Sequence, residues 1–122
     1  PMTTTHETIR AFYANIENKD FASVRGLLHD DFSFRGPIDT FDSPDALVAK
    51  LAKLEGVTES FRVRHLFVDG ERGCCVYELI TATPLRESPV TEYFELRDGR
   101  ISAIHAHYDS RPWIALFGKE EG

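Results

Sequence analysis

The chain has 122 residues, 42% hydrophobic and 11% aromatic, which is enough to bury the core of one domain and too short for two. Fourteen Lys and Arg against twenty Asp and Glu leave a net charge of −6, the wrong sign for a phosphate-tracking surface, and no basic block stands out, so nucleic acid is not an expected partner. PMTTTHETIR carries neither an apolar run nor a cleavage signature, and no segment approaches the length that crosses a bilayer; the expectation is a soluble, cytoplasmic protein without membrane contact.

In chain order, Thr4-Thr5-His6-Glu7 reads as a capping box, and Ile9, Phe12, Tyr13 and Ile16 recur at i, i+3, i+4 and i+7. The spacing predicts an amphipathic helix over residues 5 to 17. Asp20 caps a second short helix that turns Phe21, Val24, Leu27 and Leu28 inward, with His29-Asp30-Asp31 as its stop. DFSFRGP is a short strand or extended arm closed by Gly36-Pro37. Ser43-Pro44-Asp45 opens a third helix with Leu47, Leu51 and Leu54 at helical spacing and Gly56 as its stop.

From residue 58 the period becomes two, giving strands at about 58 to 68, 73 to 83, 89 to 97 and 100 to 109. Asp69-Gly70 and Asp98-Gly99 are hairpin signals, and residues 84 to 89 form a longer loop. Cys74 and Cys75 are adjacent in a strand and point to opposite faces, so two reduced thiols are expected, with no zinc spacing. Arg111-Pro112-Trp113 closes the sheet, with Trp113, Ile114, Leu116 and Phe117 as apolar contacts. The whole is an α+β domain over residues 4–117, with flexible termini at 1–3 and 118–122. Three helices precede an antiparallel meander, and a sheet of this size must bury one face against them. A sheet curled around helices leaves an apolar hollow of the kind that holds small molecules.

Element order and short motifs together resemble a known family. FYANIENKDF, HDDFSFRGP, SPDALVAKL and VTEYFELRDGRISAIHAHYDSRPW are similar to the SnoaL-like branch of the superfamily that includes nuclear transport factor 2, ketosteroid isomerase and limonene epoxide hydrolase. The resemblance spans nearly the whole chain and implies a cone-shaped, curved antiparallel sheet wrapped around the N-terminal helices, the cystatin-like or nuclear transport factor 2-like fold. By the same resemblance the general-base Asp of the isomerase falls on Gly36 before Pro37. Its helix Tyr falls on Phe12, beside Tyr13, and its second acid on Glu92. The charged residues of the epoxide hydrolase fall on Leu79, Thr81 and Ala106. The resemblance turns Phe34, His65, Leu79, Thr81 and Val90 inward, together with Glu92, Phe94, Ile104, Ala106 and Tyr108. Proteins of this fold also suggest a homodimer through the outer sheet face.

Two polar residues sit on apolar faces. In VTEYFEL, Glu92 alternates in register with Val90, Phe94 and Leu96; it lies either at a rim, facing water or an Arg, or in an apolar hollow where it works. In FRVRHLFV, His65 shares a face with Phe61, Val63 and Phe67, either as a core histidine bonded to backbone or as a catalytic partner of Glu92. Burial raises a carboxyl pKa and an imidazolium lowers it, so a His–Glu couple can act as acid and base near neutral pH. Tyr13 and Tyr108 are phenolic donors toward an oxyanion, or core tyrosines tied to backbone. The remaining walls are expected from Phe12 and Ile16 of the first helix and from Val63. His105, His107 and Asp109 form a potential ligand set on the last strand, but the resemblance places them outside the cone, and neither a metal nor a cofactor is expected. Nucleophile elbows and phosphate loops are absent. The expectation is a cofactor-free isomerase, dehydratase or cyclase acting by general acid/base catalysis on a small apolar molecule. The alternative is a non-catalytic binding protein or dimeric scaffold.

Overall fold

In the computed structural model, which describes residues 4–118, the first helix begins where the capping box places it. The Thr4 hydroxyl accepts from the Glu7 N–H at 3.0 Å, and the Glu7 carboxylate accepts from the Thr4 N–H at 2.8 Å. Two of the helix's otherwise unpaired donors are thereby satisfied, a cap of a kind worth about 1 kcal/mol. The helix, α1 (Thr5–Glu17), buries Ile9, Phe12, Tyr13 and Ile16 on one stripe. Of the termini expected to be flexible, 1–3 and 118–122, residues 1–3 and 119–122 lie outside the described residues; Gly118 closes the last helix.

Asp20 caps α2 (Phe21–Leu27) by accepting from the Ser23 N–H at 3.1 Å. The chain extends earlier than the His29-Asp30-Asp31 stop implies, because Leu28 already pairs with Ile101 and opens β1 (Leu28–Arg35). A short β2 (Thr40–Phe41) follows, then α3 (Pro44–Lys53), capped by Ser43 and ended at Leu54 rather than at Gly56. The meander is β3 (Thr58–Asp69), β4 (Arg72–Thr81), β5 (Glu87–Arg97) and β6 (Arg100–His107). Asp98 and Gly99, at φ 54° and 77°, give the β5–β6 hairpin the left-handed pair of a type I′ turn.

The six strands form one curved sheet, not closed, in the order β2-β1-β6-β5-β4-β3. The pairing is antiparallel throughout except that β1 lies parallel to β6, so the sheet is mixed where a pure meander was expected. The helices cover its concave face. Gly73 shows how close they come: a Cβ there would stand 2.5 Å from Cδ1 of Ile9, so a larger residue at this point would force the tip of the Ile9 side chain aside.

The strands differ in regularity. On β5, Ser88, Val90, Glu92, Phe94 and Leu96 are all buried and their neighbours are not. On β3 the register with β4 slips twice, and between Val63, opposite Tyr77, and His65, opposite Val76, Arg64 is left over. This bulge reverses the alternation beyond it, so Leu66 turns inward while His65 and Phe67 turn out. The expectation that His65 faces the hollow is therefore corrected. The strand is period two in sequence and is not so in register.

After β6 the chain forms a helix that sequence periodicity does not signal, α4 (Arg111–Phe117), with Pro112 in its first turn. Among its apolar residues Ile114, Leu116 and Phe117 are exposed and Trp113 is half-buried, so the expected closing contacts reduce chiefly to the tryptophan.

Candidate functional site

A cavity of about 360 Å³ lies between the concave sheet face, α1, α3 and α4. Its lining is dominated by aromatic and aliphatic side chains from Phe12 on α1 to Trp113 on α4, with the carboxyl of Glu92 among them. Glu92 is a central-strand residue, paired with Cys75 on one side and Ala106 on the other, and 8% exposed. The rim reading is thereby excluded. The acid is there because β5 alternates without a break.

The carboxyl is held by phenols. The Tyr13 hydroxyl donates to Oε1 of Glu92 at 2.7 Å, and the Tyr77 hydroxyl lies close enough to favour the charged form of the same carboxyl. Tyr13 is fixed in turn by ring contacts at 5.0 Å to Phe61, 5.1 Å to Tyr77, 5.5 Å to Phe12 and 5.9 Å to Phe94. Edge-on aromatic packing of this kind restrains a ring by shape and quadrupole together, which aims its hydroxyl.

Burial raises the Glu92 carboxyl above its ordinary range, because the anion loses water; the hydroxyls of Tyr13 and Tyr77 oppose the rise without cancelling it. Desolvation first, and then the Glu92 charge, lift the Tyr13 and Tyr77 phenols well above their usual value. Beside them burial pushes the Cys75 thiol up to about 11, which makes it an inert core group and not a nucleophile. The site favours a proton on carboxyl, phenols and thiol alike.

Tyr108, half-buried where β6 ends, also lines the cavity. Burial, then the charges of Asp39 and Glu92, push its phenol up to about 12. It keeps its proton and is a hydrogen-bond donor toward the hollow. Tyr13 differs in role from the expectation of a donor to a bound oxygen, since its proton is directed to Glu92.

Several predicted residues are brought together here and several are not. Phe12, Ile16, Phe34, Leu79, Val90, Glu92 and Ala106 line the cavity with Tyr13 and Tyr108. Phe94 and Ile104 face the same way but are fully buried in the core, Phe94 against Phe12 at 5.8 Å. Val63 packs against the core beside them. Thr81 is sealed by the β4–β5 loop, its hydroxyl 2.7 Å from that of Thr83 and its N–H on the Arg86 carbonyl. His65 is on the outer face, stacked on Phe67 at 5.7 Å, and does not meet Glu92. His105 and His107 are exposed on that outer face too, and Asp109 is held by Arg111 at 2.8 and 2.9 Å, which keeps its carboxylate down at about 2. Among the described residues no group of three His, Cys, Asp or Glu side chains is placed to hold a metal.

Tyr77 went unrecognised although the signal was present: it alternates in register with Leu79 and Thr81 on β4. Asp39 lies on the β1–β2 connection and Lys50 on α3, where period-two reasoning about the sheet does not reach.

The SnoaL-like domain model matches residues 9–104, most of the chain and nearly all of the elements around the cavity. The chain belongs to the SnoaL-like family. No curated protein sequence matches this SnoaL-like protein. Its fold is shared by an NTF2-like protein of unknown function from Cytophaga hutchinsonii, 19% identical over 93% of this chain and 96% of the other, with a TM-score of 0.82. It is also similar to a protein from Xanthomonas campestris pv. campestris provisionally named a polyketide cyclase, at 17% identity, TM-score 0.78 and 92% and 95% coverage. TerC, co-crystallised with polyporic acid, aligns at 16% identity and TM-score 0.79 over 93% of this chain and 98% of its own. At these identities the likeness is one of fold.

Proposed function

We propose that this SnoaL-like cavity takes a small, largely apolar molecule bearing a carbonyl or hydroxyl oxygen, and that Glu92 moves a proton on it without a cofactor. The observation that carries the reading is the Glu92 carboxyl, desolvated on a central strand and bonded by the Tyr13 phenol, in a mostly apolar hollow whose other charged lining residues are Asp39 and Lys50. A carboxyl whose neutral form is favoured by burial gives its proton to a substrate carbonyl oxygen, and the carboxylate left behind takes a proton from the adjacent carbon, which restores the acid and leaves the enol. Tyr13 steadies the carboxylate in between, and the reverse steps return the proton to the same or another carbon. Tyr108 adds a second donor toward the same space. Isomerisation, dehydration and ring closure all use this cycle. The relative provisionally named a polyketide cyclase, and TerC with its bound polyporic acid, are in keeping with a ligand of this kind.

The test runs in two stages. Small apolar ketones, enones and phenols are screened for a rise in melting temperature, since a ligand that binds only the folded state stabilises it. Each hit is then incubated in deuterated water, and exchange into its carbon positions is followed by mass spectrometry with wild-type protein and Glu92→Gln. Exchange that drops by about 100-fold or more in Glu92→Gln is expected of an acid/base residue. Exchange that survives unchanged removes Glu92 from the chemistry. Binding with no exchange and no conversion in wild type favours a carrier instead.

A further inference from the structure

The hollow has a floor and an end wall, and the two are joined by one strand. Along β5 the inward column runs Ser88, Val90, Glu92, and four residues of strand separate its ends by about 13 Å. Glu92 is at one end of this column. At the other, the indole N–H of Trp113 donates to Oγ of the buried Ser88 at 3.1 Å. Leu79, paired with Ser88, and Val90 give the span between them an aliphatic wall.

The element that carries Trp113 is lightly held. No residue of α4 is buried and its Ser110 cap makes no side-chain hydrogen bond. Among the described residues the Trp113–Ser88 bond is the only side-chain hydrogen bond from α4 to the sheet, while Arg111 is spent on neighbouring Asp109. Phe117 lies flat against the indole, ring centroids 6.0 Å apart and planes at 11°, and both rings line the cavity. A two-ring plate latched at one point thus closes the end opposite the carboxyl.

We propose that Trp113, latched by Ser88, is the specificity-determining end wall of the cavity and sets the length of ligand it accepts. The ligand class is an amphiphile with one hydrogen-bonding oxygen for Glu92 and an unbranched apolar body that fills the remaining length, on the order of 10 Å once side chains are allowed for. This inference rests on the reading that the cavity takes its ligand by an oxygen at Glu92. Longer bodies meet the indole and either stop gaining affinity or displace α4.

The experiment is a chain-length series. 4-n-Alkylphenols from ethyl to decyl are titrated into wild-type protein, Trp113→Ala, Trp113→Phe and Ser88→Ala, with melting temperature and dissociation constant as readouts. In wild type, affinity is expected to rise about four-fold with each methylene and then level off near a chain of about four to six carbons. In Trp113→Ala the rise continues for about three further methylenes, a gain in affinity of 10-fold or more for the longest phenols relative to wild type. Trp113→Phe, which keeps a ring but has no N–H for Ser88, and Ser88→Ala both release the latch, and each is expected to relax the limit by less than Trp113→Ala does. Trp113 is the chain's one tryptophan, so its emission reports directly on contact and is expected to change only when the alkyl chain is long enough to reach it. A length limit that is the same in wild type, Trp113→Ala and Ser88→Ala, or an emission that never responds to a bound phenol, overturns this inference alone. Failure of every phenol to bind wild type and Trp113→Ala overturns it together with the proposed function.

Discussion

β5 and β3 carry similar alternating patterns, and each places one polar residue on an apparently apolar face, yet Glu92 is buried and His65 is exposed. The difference is position in the sheet. β5 lies between β4 and β6 and is paired along both edges, so a slip of one residue would expose its whole apolar set. β3 is an edge strand with one partner, and there the sheet tolerates an extra residue and uses it to increase local twist. A polar residue on an apolar face is therefore informative on a central strand and weakly so on an edge. The chemistry of this molecule stands on the side where slippage is costly.

The largest effect that can break this contrast is a deletion in each strand. Removing Thr91 is expected to turn either Glu92, Phe94 and Leu96 or Ser88 and Val90 out of the hollow and abolish cooperative folding, measured as loss of the thermal transition. Removing Arg64 takes out the bulge residue itself, leaves His65 outward and Leu66 inward as they are, and sacrifices an exposed contact with Glu78; folding is expected to survive with a loss of about 1 kcal/mol in denaturant titration. If the two deletions cost the same, burial on β5 is not fixed by register. Next in size, Phe94→Ala is expected to cost about 3–5 kcal/mol, since it empties a fully buried site against Phe12 and Tyr13. On β3, Phe67→Ala, at 62% exposure, is expected to stay within about 0.5 kcal/mol.

The same contrast explains what could be read in advance. α1, α3, the meander and the inward set on β5 follow from period and caps, because each element meets a single partner face and its pattern records that face. The bulge at Arg64 left no mark, since FRVRHLFV obeys a regular strand as well as a broken one and only pairing with β4 decides between them. Tyr77 was legible by face and easily mistaken for core filler, because an aromatic ring hides its hydroxyl in a hydrophobicity pattern. Asp39, on a connection, and α4, whose apolar residues are mostly exposed, have no periodic face to record. So the carboxyl at the floor was visible, whereas much of what surrounds and encloses it depends on tertiary contacts.

A smaller effect sharpens the assignment of Glu92 itself. Because burial raises its carboxyl in the folded chain above the unfolded value near 4.5, the folded state holds more protons than the unfolded one as pH rises from there. The contribution of the neutral acid is fully present below that value and is lost as pH climbs through the folded one. Glu92→Gln removes the titration while keeping a carbonyl for Tyr13. The stability of wild type minus that of Glu92→Gln is thus expected to fall with rising pH, at no more than about 1.4 kcal/mol per pH unit, in denaturant titrations at a series of pH values. A flat difference would mean that the carboxyl has the same proton affinity folded and unfolded, with the phenol hydrogen bonds cancelling its desolvation.

The smallest expected effect is the most direct check on the other strand. His65 touches Phe67 by a stacked contact on an exposed face, and an exposed stack orders two side chains while burying little from water. His65→Ala is expected to change stability by less than about 0.5 kcal/mol, and the double mutant with Phe67→Ala to show a coupling of the same small size. It should also leave phenol binding and any deuterium exchange untouched, because the sheet itself stands between the imidazole and the hollow. A loss of binding in His65→Ala would mean that β3 pairs with β4 one residue out of the register described, and the bulge, not the acid, would then be the feature to re-examine.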